Sequence, residues 1–110
     1  MPGLNEQRLQ EYIEVFITDM NERVEDLIFV RETLSRAHYF DLHTRMKLDD
    51  MLRRCKIASD QFVTFINNVH TMERSKGEEM QKKVMDDAGA IDLDMESLYR
   101  LLRIKGFDFG

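Results

Sequence analysis

The sequence contains very few residues that interrupt helices or cross-link chains. Its 110 residues include one proline, Pro2, one cysteine, Cys55, five glycines and no tryptophan. Beyond Pro2, no residue interrupts a helix by lacking a backbone amide hydrogen, and a single thiol excludes an intrachain disulfide. We therefore expect long helices and, because disulfides mark oxidising compartments, a cytoplasmic location.

Long hydrophobic runs and an excess of positive charge are also absent. The chain is 43% apolar and 34% charged, with a formal net charge of −5. No stretch approaches the roughly 20 apolar residues of a membrane span, and the first residues lack the pattern of a secretory signal. A net negative chain is poorly suited to neutralising many phosphates. We expect one helical domain, residues 1–110, with neither a membrane nor duplex nucleic acid as its partner.

The apolar spacing predicts a first helix over about residues 6–37. Asn5 suits its N-cap, and apolar residues then recur at alternating three- and four-residue steps. Arg23 occupies the one position of this stripe that is not apolar. We expect it to fix the register between neighbouring helices, at a cost in stability. The apolar members of the stripe are Leu9, Ile13, Phe16, Met20, Leu27, Val30, Leu34 and Ala37.

A second helix is predicted over about residues 44–75. Tyr39 and Phe40 interrupt the preceding spacing, so the chain should reverse there, with Asp41 or Thr44 as the next N-cap. The broad apolar stripe that follows predicts a helix lying antiparallel along the first. Its members are Leu48, Met51, Leu52, Cys55, Ala58, Phe62, Phe65, Ile66, Val69 and Met72.

The remaining residues predict a shorter C-terminal helical segment over about residues 78–105. Gly77 suits a C-terminal cap of the preceding helix, and the small residues 88–90 read as a break. The pattern leaves open whether residues 78–87 extend the second helix or form a separate one.

The end of the last helix carries the most specific local signal. Gly106 stands where a left-handed residue is wanted, and Leu102 and Phe107 have the spacing whose side chains touch in a Schellman motif. The predicted fold is all-α and bundle-like, an antiparallel hairpin of two long helices plus a shorter C-terminal helical segment.

Two pairs of acidic residues in the first helix have metal-ligand spacing. Carboxylates three residues apart lie on one helix face and can share a divalent ion. The second helix offers no matching acidic pair, so we expect a solvated acidic face, no metal and no cofactor. The pairs are Glu11 with Glu14 and Glu22 with Glu25.

Basic residues gather in the first half of the second helix. By contrast, residues 1–40 carry only four basic side chains against eight acidic ones. Such a patch can bind an anionic ligand, such as a nucleotide at a subunit interface, or dock on an acidic surface of another chain. Its members are His43, Arg45, Lys47, Arg53, Arg54 and Lys56.

Several apolar residues fall outside the two stripes. Single exposed apolar residues are ordinary, but a set of them beside an almost wholly apolar last helix predicts self-association or partner docking. The candidate interface residues are Val15, Phe29, Ile57, Val63, Leu101, Ile104, Phe107 and Phe109.

These features favour a small homo-oligomeric protein–protein interaction or regulatory module, such as an adaptor, inhibitor or assembly factor, and not an enzyme. The alternative is sequestration of an anionic small ligand such as a nucleotide through Arg53, Arg54 and Lys56. A third hypothesis, a helical metal-dependent hydrolase, lacks the second acidic pair that its metal site would need.

Overall fold

The chain forms three helices that run up, down and up. The structure is a computed structural model that describes residues 6–109 and, within them, the side chains of Arg8 and of residues 10–109. The helices are α1 (Glu6–Arg36), α2 (Leu42–Asn68) and α3 (Arg74–Ile104), with no strand in this part of the chain. Their bundle measures 57 × 22 × 18 Å, and α2 packs against both other helices. The all-α, bundle-like fold is confirmed. Asn5 lies outside the described residues.

α1 ends in a Schellman motif built on a histidine. His38 has a φ of 55°, in the left-handed region that glycine usually occupies. The amide of His38 donates to the carbonyl of Ser35 at 3.1 Å, and the amide of Tyr39 donates to Leu34 at 2.9 Å. These two bonds satisfy carbonyls that the helix end would otherwise leave unpaired. They turn the chain sharply towards α2.

Asp41 is the N-cap of α2, as one of the two predicted alternatives. Its carboxylate accepts from the Thr44 backbone amide at 3.0 Å and from the Thr44 hydroxyl at 2.7 Å. Thr44 itself is buried. The cap therefore supplies the partner that a buried threonine hydroxyl requires.

α2 ends at Asn68, earlier than the predicted residue 75. The carbonyl of Asn68 accepts from both the backbone amide and the hydroxyl of Thr71, while the Asn68 side chain donates to the Thr64 carbonyl. Asparagine and threonine form such local bonds in competition with the helical pattern. The chain therefore turns before the apolar stripe is finished, and Val69 and Met72 are half-buried in the turn.

The predicted break at residues 88–90 is wrong, and Gly77 is not a C-terminal cap. Gly77 lies in the first turn of α3, where its amide donates to the Glu73 carbonyl at 2.9 Å, and α3 continues unbroken to Ile104. A glycine inside a helix costs only about 1 kcal/mol relative to alanine. The apolar stripe that runs across residues 88–90 outweighs this cost, so α3 has 31 residues, as many as α1. Its members are Val84, Ala88, Ile91, Met95, Leu98 and Leu102.

The Schellman motif predicted at the end of α3 is present. Gly106 has a φ of 100°, its amide donates to Arg103, and the amide of Phe107 donates to Leu102 at 2.9 Å. The ring of Phe107 then meets Tyr39 edge-on at 5.3 Å between centroids. The ends of α1 and α3 therefore meet at one end of the bundle.

The core lies along the three stripes, and most of the predicted stripe positions of α1 and α2 are buried in it. Phe16 and Phe62 stack across the α1–α2 contact at 4.0 Å between centroids. Ala37 is exposed because α1 ends before it. The buried apolar residues of α1 and α2 are Phe16, Met20, Leu27, Val30, Leu34, Leu48, Met51, Cys55, Ala58, Phe62 and Phe65.

Candidate functional site

The two arginines at the centre of the predicted basic patch pair with acidic residues of the same chain. Arg53 donates to Asp50 at 2.6 Å. Arg54 pairs with Asp94 of α3 and lies 3.6 Å from the Asp50 carboxylate. The hydrogen bond with Asp94 raises the pKa of Arg54, and the one with Arg53 lowers the pKa of Asp50. An external anion would have to compete with these carboxylates.

The other members of the patch are exposed and do not converge. Successive helical residues are rotated by about 100°, so His43 and Lys47 each lie about 160° around the helix from Arg45. Lys56 stands about three turns beyond Arg45 on the same flank. The structure therefore distributes the six predicted residues over different sides of α2 and does not form one site from them.

Arg23 connects α1 directly to α3. Its guanidinium donates through Nε and Nη2 to the two carboxylate oxygens of Asp92, at 2.7 and 2.8 Å. The Arg23 side chain is only 17% exposed, and the hydrogen bond to Asp92 raises its pKa. A bidentate pair fixes both the position and the orientation of the two side chains. The register-setting role of Arg23 stays a prediction.

Six of the predicted interface residues are exposed, and two are partly used within the chain. Phe107 contacts Tyr39, and Phe109 contacts Phe29 and Tyr99, so these two rings are half-buried. The exposed residues are Val15, Phe29, Ile57, Val63, Leu101 and Ile104.

A groove of about 490 Å³ opens at the turn between α1 and α2, and we call it the turn groove. Buried Leu34 of α1 and Leu48 of α2 lie in its wall, because the left-handed turn at His38 and the Asp41 cap bring the two helix ends together without filling the space between them. The lining residues are Arg31, Glu32, Leu34, Ser35, Tyr39, Phe40, Asp41, Leu42, Thr44, Arg45 and Leu48.

The edge of the turn groove carries two large apolar side chains that face solvent. Phe40 is 75% exposed and Leu42 is 74% exposed. Met46, one helical turn beyond Leu42, is also exposed. Exposed apolar side chains grouped beside a concave surface are typical of docking sites for other macromolecules.

The acidic and basic residues of the turn groove differ in how they are paired. Glu32 accepts from Arg36 at 3.4 Å, and Asp41 accepts two hydrogen bonds from Thr44, which lower the pKa of the carboxyl group. Within residues 6–109, the guanidinium groups of Arg31 and Arg45 have no hydrogen-bond or ion-pair partner. Two guanidinium groups, one from each helix, are thus available to a ligand.

The sequence signal for this groove was incomplete. Arg45 belongs to the predicted basic patch, and Phe40 belongs to the segment where a chain reversal is predicted. Arg31 was not predicted as a binding residue, because it is a single charged residue beside an apolar stripe. The sequence position of Arg31, one residue after Val30 and three before Leu34, places it on the flank of the apolar stripe near the predicted bend. This position could have indicated that Arg31 lies beside the turn.

Two side chains with potentially reactive groups, Thr44 and Cys55, are buried. The Thr44 hydroxyl is held by Asp41. Cys55 lies in the core, where burial raises the pKa of its thiol and keeps it protonated. Among the described residues, no three histidine, cysteine, aspartate or glutamate side chains are arranged to hold a metal ion.

Across residues 6–109, none of the helices is both long and apolar enough to cross a membrane. Comparisons with protein-family models, with curated proteins and with solved structures find no match to this chain.

Proposed function

We propose that the protein is a small helical interaction module, not an enzyme, that docks a partner protein on the turn groove. The proposal is carried by Phe40 and Leu42, which remain about three-quarters exposed beside a concave apolar surface. Complete burial of one large apolar side chain stabilises a complex by about 1.5–3 kcal/mol. A partner that covers both residues would therefore gain much of its binding energy from this edge. The buried, unpaired Cys55 is compatible with the cytoplasmic location that we also propose.

The shape of the exposed edge favours a macromolecule over a small ligand. A ligand seated inside the groove would leave most of the outward surface of Phe40, Leu42 and Met46 in water. A polypeptide lying across the groove would cover them, as the central anchors of an interface are covered. Arg53 and Arg54 are already paired with carboxylates, so no observation favours a nucleotide site at Arg53, Arg54 and Lys56.

Site-specific photo-crosslinking in the source cell tests the docking proposal. A photoactivatable phenylalanine analogue at position 40 should give a discrete adduct with one partner. The same adduct should weaken when Leu42→Ser is added. The analogue at Met85, which is 52% exposed on α3, serves as the control position and should not give it. Equal adducts from both positions, or no adduct from position 40, would contradict the proposal.

Self-association is a second candidate, and a stripe on α3 favours it. Leu93, Leu101 and Ile104 are exposed and lie towards one side of the helix away from its buried stripe. Two copies of such a stripe can cover each other around a twofold axis. Light scattering should then give a mass of at least twice 13.1 kDa. The double variant Leu93→Ser, Ile104→Ser should reduce this mass to that of a single chain. A single-chain mass for the unmodified protein would rule this candidate out.

A further inference from the structure

We propose that the turn groove recognises an acidic segment of its partner, in which a large apolar side chain is flanked by carboxylates that pair with Arg31 and Arg45. This inference deepens the proposed docking function and rests on it. The charged groups that line the groove differ in whether they are paired. The two carboxylates, Glu32 and Asp41, already have partners, whereas the two guanidinium groups have none among the described residues.

The positions of the two arginines define what can bind between them. Arg31 belongs to α1 and Arg45 to α2, and both line the groove together with buried Leu34 and Leu48. An occupant that satisfies this surface has an apolar centre and negative charge on its sides. Carboxylates are well matched to arginine because both groups are planar and form two parallel hydrogen bonds.

The balance of charge favours separate carboxylates over one dianionic phosphate. Glu32 and Asp41 carry as many formal negative charges as Arg31 and Arg45 carry positive ones, so a concentrated double charge in the groove would also meet two nearby carboxylates. Single carboxylates spaced along a peptide can approach each arginine separately.

The width of the apolar edge favours a peptide over a small organic acid. Phe40 and Leu42 line the groove but keep about three-quarters of their surface in water. A small acid would pair with the arginines but leave these side chains uncovered. An extended or helical segment covers the edge and the groove together.

The test is selection of a phage-displayed random dodecapeptide library on the intact protein, followed by fluorescence anisotropy with the selected peptides. We expect enrichment of sequences that carry aspartate or glutamate on both sides of a large apolar residue. The double variant Arg31→Gln, Arg45→Gln should weaken their binding about tenfold. The matched control, Arg100→Gln, removes an exposed arginine of α3 that pairs with Glu96, and it should leave binding unchanged.

Each outcome separates this inference from the docking proposal. Selected peptides without acidic residues, whose binding is lost in Phe40→Ser but not in the arginine variant, would overturn the inference and leave the docking function standing. Selected peptides that bind both Phe40→Ser and the arginine variant as tightly as they bind the unmodified protein would overturn both. A melting temperature raised by a nucleotide or a fatty acid, and not by any selected peptide, would also overturn both, because the groove would then be a small-molecule site.

Discussion

Replacing Gly89 with alanine should stabilise the protein. Gly89 lies near the middle of α3, is exposed, and has nothing within 4 Å of the position that a Cβ atom would occupy. The substitution therefore adds no packing and causes no clash. What remains is the backbone effect, because alanine loses less conformational freedom than glycine when a helix forms.

The expected gain is about 0.5–1 kcal/mol in the free energy of unfolding, the usual difference between glycine and alanine inside a helix. For a domain of this size, it corresponds to a rise of about 2–4 °C in the melting temperature. Urea unfolding followed by far-ultraviolet circular dichroism measures the free energy of unfolding. The slope of this free energy against urea concentration should not change.

Gly106 offers a matched control for the same substitution. It too is exposed with nothing within 4 Å of an added Cβ, but its φ is 100°, where an L-residue is strained. Gly106→Ala should therefore destabilise the protein by about 1 kcal/mol. If Gly89→Ala also destabilises the protein, residues 88–90 form a break or a hinge, and α3 is not continuous.

Three further experiments test other parts of the fold. A double-mutant cycle of Arg23→Met and Asp92→Asn should give a coupling energy of about 1 kcal/mol. This energy should fall with added salt, because the Asp92 side chain is half exposed. Zero coupling energy would contradict the predicted register-setting role of Arg23. Phe62→Ala should cost about 3–5 kcal/mol, since the ring is buried, whereas Phe40→Ala should change stability by less than about 0.5 kcal/mol; similar losses would contradict the assigned burial. The lowered pKa of Asp41 stabilises the fold above the carboxyl's unfolded value of about 4, and this contribution is lost as the pH falls through the folded value. Acid titration of unfolding should therefore show a smaller loss in Asp41→Asn than in the unmodified protein, and equal losses would refute the cap's role.

Periodicity was sufficient to predict the parts of the fold that depend on one helix face. The stripe that contains Phe16 and Leu27 and the stripe that contains Leu48 and Phe62 are buried as predicted, because a repeat of three and four residues aligns apolar groups whatever their neighbours are. The role of Gly106 at the end of α3 was predictable for a similar reason, because the need for a left-handed residue at a helix end is local.

The errors came from local signals that tertiary packing or side-chain bonding overruled. Gly89 resembles a break, but its cost is smaller than the stabilisation from burying Ala88, Ile91 and their neighbours across it. Conversely, α2 stops at Asn68 although its apolar stripe continues, because hydrogen bonds of Asn68 and Thr71 close the turn first.

The candidate site was only partly predictable because it depends on pairings distant in sequence. Arg54 belongs to the predicted basic patch, yet its partner Asp94 is 40 residues away on a helix that was expected to be interrupted. Arg31 and Arg45 come together only through the geometry of the α1–α2 turn. The predicted basic patch therefore included Arg45 but not Arg31, and the groove that both residues line was not predicted.

The most direct test of the proposed docking site is nuclear magnetic resonance of the isotope-labelled protein titrated with a selected acidic peptide. Docking at the turn groove predicts that the largest amide shift changes occur at residues lining it, including Ser35, Phe40 and Arg45, while the amide shifts of exposed positions of α3 such as Met85 and Leu93 remain unchanged. Shift changes confined to α3, or spread evenly over the bundle, would contradict it.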